Sequence, residues 1–342
     1  MTLLAVSALR THIPTRRGVL RAVDGIDLRI DAGEIVGLVG ESGCGKTMAA
    51  YSILGLVPRP AEVVDGEILF QGDDLRAKSP EQLRRLRGSA LSMVFQEPLT
   101  ALNPLFPVGT QIRDVLLQHQ RLSPRAVRAR IHELLDHVGI PEPRHVARTY
   151  PFQLSGGMRQ RVLIAMAIAC RPRLVIADEP TTALDTTIQA QILDLLRQLV
   201  EEDHIALLLI THDLGVIAEM CQRVYVMYAG EIVEHAPVRD LFASSLHPYS
   251  DALLRCTPAL ADPDRELESI EGIVPDMIGP ADHCAFADRC PHAVPRCRVE
   301  HPELQAIAEG HSAACHLAGD LAFTRPSLAA PPVAPAPEAC GP

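Results

Sequence analysis

The chain is short of positive charge. It carries 32 Lys and Arg against 42 Asp and Glu, a net charge of −10, whereas a protein whose main partner is nucleic acid needs a basic field to meet phosphates. No apolar run approaches the roughly 20 residues that span a bilayer. No internal repeat is visible. The opening residues MTLLAVSALR place their first Arg after a short apolar stretch rather than before it, so they are expected to form a first β-strand and not a signal peptide. A cytosolic protein follows from that expectation. Thiols stay reduced there, so the nine cysteines are not read as a disulfide scaffold. Four of them, Cys284, Cys290, Cys297 and Cys315, gather near the C-terminus and need an account of their own.

What is present suits one large domain with a small appendage: 342 residues, 47% of them hydrophobic. Residues 1–30 alternate apolar and polar about a Gly18 turn, the pattern of antiparallel strands. Short strands are expected at 35–39, 67–70, 91–95, 174–177, 205–210 and 224–228. The fully apolar ones, alternating with helices, imply a buried and largely parallel sheet. A mostly helical stretch at about 99–160 reads as an insertion into that α/β core. Its clearest helix carries Val127, Ile131, Leu134, Leu135 and Val138, and a later helix is striped by Ile188, Ile192, Leu195, Leu196 and Leu199. After residue 246 the pattern weakens. From Arg325 the chain is Pro/Ala-rich and expected to be disordered, giving a division into 1–245, 246–320 and a tail at 321–342.

Three segments carry chemistry. GESGCGKT (Gly40, Glu41, Ser42, Gly43, Cys44, Gly45, Lys46, Thr47) follows a strand and opens a helix. This is a P-loop: its backbone N–H groups turn toward phosphate oxygens at the positive end of a helix. Lys46 is placed to reach the β- and γ-phosphates and Thr47 to bind Mg²⁺, with Cys44 a spacer. LVIADEP is an apolar strand ending in Asp178, which fits a Mg²⁺-associated position, and Glu179, which fits the base that polarises the attacking water. LSGGMRQR places Ser155, Gly156 and Gly157 at a helix start, where unpaired N–H groups can face an anion.

With LSGG between the P-loop and the Asp-Glu strand, the chain resembles the ABC ATPases over roughly residues 3–245. The resemblance implies a P-loop ABC-type ATPase with a RecA-like α/β core, an N-terminal antiparallel β-subdomain and an inserted α-helical subdomain. Gln96 in VFQEP resembles the Q-loop glutamine, which contacts Mg²⁺ and the water. Asp185 in TTALD resembles the D-loop aspartate, and His212 in LLLITHD the histidine that contacts the γ-phosphate. Members dimerise head to tail, so Ser155, Gly156 and Gly157 would act on the ATP of a second ATPase subunit, a copy or a relative. One departure stands out. Where the family stacks adenine on an aromatic residue, this chain reads THIPTRRG, leaving His12 to stack or Ile13 to supply an apolar face. The long heptad insertions of DNA-repair relatives and the fused double cassette of translation-type relatives are absent.

HPYSDALL, CAFADRC, HPEL and GHSAACH resemble the C-terminal extension of oligopeptide and dipeptide importer ATPases, a group shared in part with nickel importers. That implies a subunit on the cytoplasmic face of the inner membrane, working with two transmembrane permeases and, indirectly, an extracytoplasmic binding protein. Read from the residues alone, the four cysteines leave a zinc site, a [4Fe–4S] cluster and a plain reduced fold open. Their gaps of five, six and seventeen residues lack the short knuckle usual for zinc. His283, His292, His311 and His316 lie near enough in sequence to replace a thiolate. The resemblance points to the [4Fe–4S] cluster. Its distance in sequence from the phosphate-binding motifs suggests a clamp for the extension rather than a part in ATP chemistry.

Overall fold

The computed structural model describes residues 1–257, 269–279, 282–321 and 323–324. The expected disordered tail from Arg325 lies outside them. The first two strands, β1 (Thr2–Thr15) and β2 (Gly18–Asp31), form a long antiparallel ribbon running from the Thr2–Asp31 pair to the Thr15–Gly18 pair. Next come β3 (Ile35–Val39), α1 (Lys46–Leu54), β4 (Glu62–Phe70) and β5 (Asp73–Asp74). β4 and β5 complete a four-stranded sheet in the order β2-β1-β4-β5. After α2 (Pro80–Leu86) and β6 (Leu91–Val94), five helices follow with no strand between them: α3 (Pro98–Ala101), α4 (Val108–His119), α5 (Pro124–His137), α6 (Pro143–Val146) and α7 (Gly156–Ile168).

The α/β alternation then resumes with β7 (Leu174–Asp178), α8 (Thr186–Asp203), β8 (Ala206–Thr211), α9 (Leu214–Met220) and β9 (Arg223–Tyr228). Strands β9, β3, β8, β7 and β6 lie side by side and parallel. Every residue of β3, β7 and β8 is buried, which is why these strands read as unbroken apolar runs.

Local chemistry sets the helices. α5 starts where Ser123 Oγ accepts the Ala126 N–H at 3.3 Å and Pro124 takes the first turn. It buries Val127, Ile131, Leu134 and Leu135, each contributing about 1.5–3 kcal/mol by leaving water. α8 starts at Asp185, whose carboxylate accepts the Ile188 N–H at 3.0 Å, and it buries Ile192, Leu195, Leu196 and Leu199.

The C-terminal part is sewn to the core. β10 (Glu231–Pro237) pairs with β9, and α10 (Val238–Ala243), β11 (Ser244–Ser245) and α11 (Pro248–Arg255) follow. β12 (Gln305–Ala308) and β13 (His311–Ala313) then extend the core sheet beyond β10, while β14 (Phe323–Thr324) pairs with β11. The Glu234 carboxylate, fully buried on β10, accepts the Leu246 and His247 N–H groups at 2.7 and 2.9 Å and meets His311 Nε2 at 2.7 Å. Tyr228, Tyr249 and Phe286 pack ring on ring between the two regions, with centroids 4.6–5.4 Å apart.

Candidate functional site

The parallel strands of the core deliver their chemistry to one edge, at their C-terminal ends, where ligands of open α/β sheets are bound. The P-loop leaves β3, Gln96 lies just past β6, Asp178 and Glu179 close β7, and His212 follows β8. A cleft of about 730 Å³ opens there, lined among others by Lys46, Thr47, Gln96 and Glu179.

Residues 40–45 wrap the N-terminus of α1. Gly45 adopts φ +108°, a conformation open only to glycine. The Lys46 ammonium lies on the loop's own carbonyls, 2.8 Å from Gly40 O and 3.0 Å from Glu41 O. Cys44 is buried, and burial pushes its thiol pKa up, so it is held as an unreactive thiol.

Asp178 is buried, and its Oδ1 has no hydrogen-bond partner. Burial holds its carboxyl above the ordinary carboxylate range, while the Thr47 hydroxyl beside it acts in the opposite sense. An orphaned carboxylate oxygen next to a P-loop hydroxyl fits a Mg²⁺ ion, which takes few protein ligands and completes its shell with phosphate and water.

Glu179 sits with φ +46°, a strained angle for a non-glycine residue, and its N–H donates to Ile210 O at 2.8 Å. Its carboxylate is held on three sides. Gln96 Nε2 donates to Oε2 at 3.0 Å, Thr182 Oγ1 donates to Oε2 at 2.8 Å, and His212 Nδ1 lies 3.2 Å from Oε1. The His212 bond is the largest cause that lowers the Glu179 pKa to about 2, and the same bond raises that of His212. The sign follows from the two shifts. The Glu179 share of the stabilisation is present above its ordinary value of 4.5 and fades as pH falls toward 2; the His212 share is present below 6.5 and fades as pH rises through its raised value. The pair is therefore strongest between those two ordinary values.

The structure thus brings together Lys46, Thr47, Gln96, Asp178, Glu179 and His212. Ser155 and Gly156 are exposed, and neither they nor Gly157 line the cleft. Ser155 caps α7 by accepting the Met158 N–H at 3.3 Å. Gly157 lets α7 approach α8, since a Cβ there would fall 2.6 Å from the Ile188 side chain. Of the two residues considered for the base, Ile13 lines the cleft together with its cross-strand partner Leu20, and His12 is not among the lining residues.

Sequence reasoning missed two contacts. The Glu41 N–H donates to the Tyr249 hydroxyl at 2.9 Å, and the Glu41 carboxylate takes a two-pronged ion pair from Arg289 at 2.8 and 2.9 Å. Arg289 immediately precedes Cys290, so the cysteine region, far from the P-loop in sequence, touches it in space. All four cysteines of that region are free. Burial first, and then the Cys297, Cys315 and Cys290 sulfurs, push the Cys284 thiol up to about 12. Among the described residues, however, no group of three or more His, Cys, Asp or Glu side chains is arranged to hold a metal ion.

A parallel sheet with a P-loop leaving β3, an Asp-Glu pair at the same end of β7 one strand beyond β8, and a helical insertion defines a P-loop ATPase. Residues 23–182 match the ABC transporter family, and residues 233–297 match the C-terminal region of oligopeptide/dipeptide transporters. The chain is 46% identical to the dipeptide transport ATP-binding protein DppD of Escherichia coli over 96% of its own length and 100% of that protein's. It is 44% identical to the oligopeptide transport ATP-binding protein AppD of Bacillus subtilis over 92% and 97%. Among solved structures it is similar to the dimeric post-hydrolysis ATP-binding cassette MJ0796 bound to ADP and Pi, at a TM-score of 0.63 and 28% identity, covering 69% of this chain and 99% of that one. The chain belongs to the ATP-binding proteins of ABC transporters, in the branch that carries the oligopeptide/dipeptide transporter C-terminal region. It is an ATPase.

Proposed function

We propose that this chain powers the import of di- or oligopeptides, from the cytoplasmic face of the inner membrane. The carrying observation is the near full-length similarity to peptide-transport ATP-binding proteins, extension included. Among the described residues no helix is long and apolar enough to cross a membrane, so two permease subunits would supply the path and an extracytoplasmic binding protein the cargo. In vesicles bearing the neighbouring permeases and binding protein, a labelled dipeptide should accumulate only with ATP. ATP-driven uptake of nickel instead of peptide would overturn the peptide reading.

In this reading the N–H groups of residues 40–45 and Lys46 bind the triphosphate, and Thr47 and Asp178 hold Mg²⁺ with Gln96 nearby. The ion would neutralise charge building on the phosphates. Glu179 stays ionised at neutral pH and orients and polarises the attacking water. His212 fixes Glu179 on one side and faces the γ-phosphate on the other. Ser155, Gly156, Gly157 and Asp185 serve the ATP of a second ATPase subunit, in keeping with the exposure of Ser155, Gly156 and Asp185 and their place outside this chain's own cleft. The chain is read as an ATPase domain over 1–245, with its helical subdomain at about 99–160, followed by the extension at 246–320.

Gln96 couples the site to the permeases. A groove of about 460 Å³ beside it is lined by Phe95, Ala101, Val115 and Met166, a fitting seat for a permease segment. Gln96→Ala is expected to leave the ATP dissociation constant within about twofold, because an exposed neutral amide contributes little net binding. Transport-stimulated hydrolysis in vesicles should fall severalfold. Normal uptake by this variant would contradict the assignment.

The finer reading of Cys284, Cys290, Cys297 and Cys315 is a [4Fe–4S] cluster, supported by four free thiols, three of which lie close enough to Cys284 to add to the rise in its pKa. Protein purified without oxygen should contain about four iron and four sulfide per chain, and Cys297→Ser should lose both. Colourless anaerobic protein, with one zinc or with no metal, would overturn it.

A further inference from the structure

We infer that the C-terminal extension completes the nucleotide site, with residues 272–277 forming the wall against which the base rests and Ile273 the main contact. This rests on the reading of the cleft as an ATP site. All six of these residues line the same cleft as Lys46 and Thr47. They are held against the edge of β2: the Arg21 N–H donates to Met277 O at 3.0 Å, the Gly279 N–H donates to Val19 O at 3.3 Å, and Leu20 bridges to Ile278. The wall therefore continues from Leu20, beside Ile13.

The chemistry of the lining assigns its ends. Among the described residues Tyr51 is its one aromatic, and it belongs to the phosphate end, on α1 about one turn past Thr47; burial first, and then the Asp178 charge, raises its pKa. Apolar surface comes instead from Ile13, Leu20, Ile273, Val274, Pro275 and Met277. Ile273 is 87% exposed, an unusual cost for a large aliphatic side chain at a cleft wall, and a planar base laid on it would remove that surface from water.

Arg289 pins this wall to the phosphate site. Its side chain is only 7% exposed. Its Nε donates to Glu271 O at 2.8 Å and its Nη2 to Ile270 O at 3.3 Å, while the same guanidinium holds both oxygens of Glu41. It also lies over the Tyr228 ring at 5.7 Å. Base wall and P-loop are thus set by one buried cation. The arrangement replaces aromatic stacking by an aliphatic clamp whose two jaws come from opposite ends of the chain.

The test compares MgATP with Mg-tripolyphosphate, which has the phosphates but no base, by calorimetry on the full chain. Ile273→Ser removes only exposed surface and should fold as the parent does. It should raise the ATP dissociation constant roughly three- to tenfold, as expected for losing one aliphatic contact, and leave tripolyphosphate binding unchanged. Met277→Ser should act in the same direction. Unchanged ATP affinity in both variants, or an equal loss for both ligands, would overturn the inference. A parent protein that binds neither ligand would instead remove the ATP-site reading beneath it.

Discussion

Glu179→Gln is expected to bind ATP as the parent does and to hydrolyse it about 10²–10⁴-fold more slowly, the usual loss for a positioned base. The geometry favours a clean result. Gln has the shape of Glu, and its carbonyl oxygen can still accept from Thr182 and Gln96, which donate to Glu179 at 2.8 and 3.0 Å. What disappears is the negative charge. With it goes the strongest influence raising the pKa of His212, so the His212 titration should fall back toward its ordinary value. That shift, read by NMR, separates a lost charge from a collapsed site. Because the proposed arrangement holds each ATP between the P-loop of one ATPase subunit and the Ser155 segment of another, unhydrolysed ATP should keep the two together, and the variant should also stay dimeric in MgATP on gel filtration, whereas the parent should separate as it turns over. Phosphate release at near parental rates would mean that another group polarises the water.

How much of this was legible in the sequence depended on whether the determinant was local. The P-loop, the carboxylates ending β7 and His212 after β8 are each set by a strand end and the few residues beyond it. Reading the apolar runs found them, and the structure places Lys46 and Glu179 in the lining of one cleft, with His212 against the Glu179 carboxylate. Residue period also located α5 and the buried stripe of α8. The strand at 67–70 was expected too short, because the first half of β4 (Glu62–Phe70) sets two adjacent valines between acids, with Val64 exposed and Val63 half-buried, and so shows no alternation of buried and exposed apolar positions. The base end was harder. Choosing between His12 and Ile13 needs the facing of a strand whose register shifts between Thr11 and His12, and such a shift breaks simple alternation. The Glu41–Arg289 pair was beyond reach: the partners are 248 residues apart, and neither sits in a pattern that names the other. The nearness of the cysteine region to the phosphate site was hidden for the same reason, since distance in sequence says little once β13 has joined the core sheet beside β10.

Gly45→Ala should abolish most ATP binding, while Gly43→Ala, two residues away, should only weaken it. Both glycines have positive φ, +84° at Gly43 and +108° at Gly45, and a Cβ at such angles costs about 1–3 kcal/mol. Their surroundings differ. A Cβ at Gly43 meets nothing within 4 Å, whereas one at Gly45 would lie 2.3 Å from the Ala22 carbonyl oxygen and 2.8 Å from the Met227 side chain. The methionine can turn aside, but the carbonyl cannot. Ala22 belongs to β2, which is tied across at Asp24, whose N–H donates to Gly230 O at 2.8 Å, and Gly230 in turn donates to Cys44 O at 2.9 Å. The P-loop would have to move instead, and with it the N-terminus of α1, where the Ala49 N–H donates to Gly45 O at 2.9 Å. Phosphate binding depends on those N–H directions. The Gly45 variant should therefore bind MgATP at least about tenfold more weakly than the Gly43 variant, a difference near 1.4 kcal/mol. Calorimetry on both proteins gives the ratio, and circular dichroism melts show whether the rest of the core has kept its cooperativity. Equal affinities would mean that the loop yields at Ala22 after all, and that its shape is set by glycine conformation alone and not by the strand behind it.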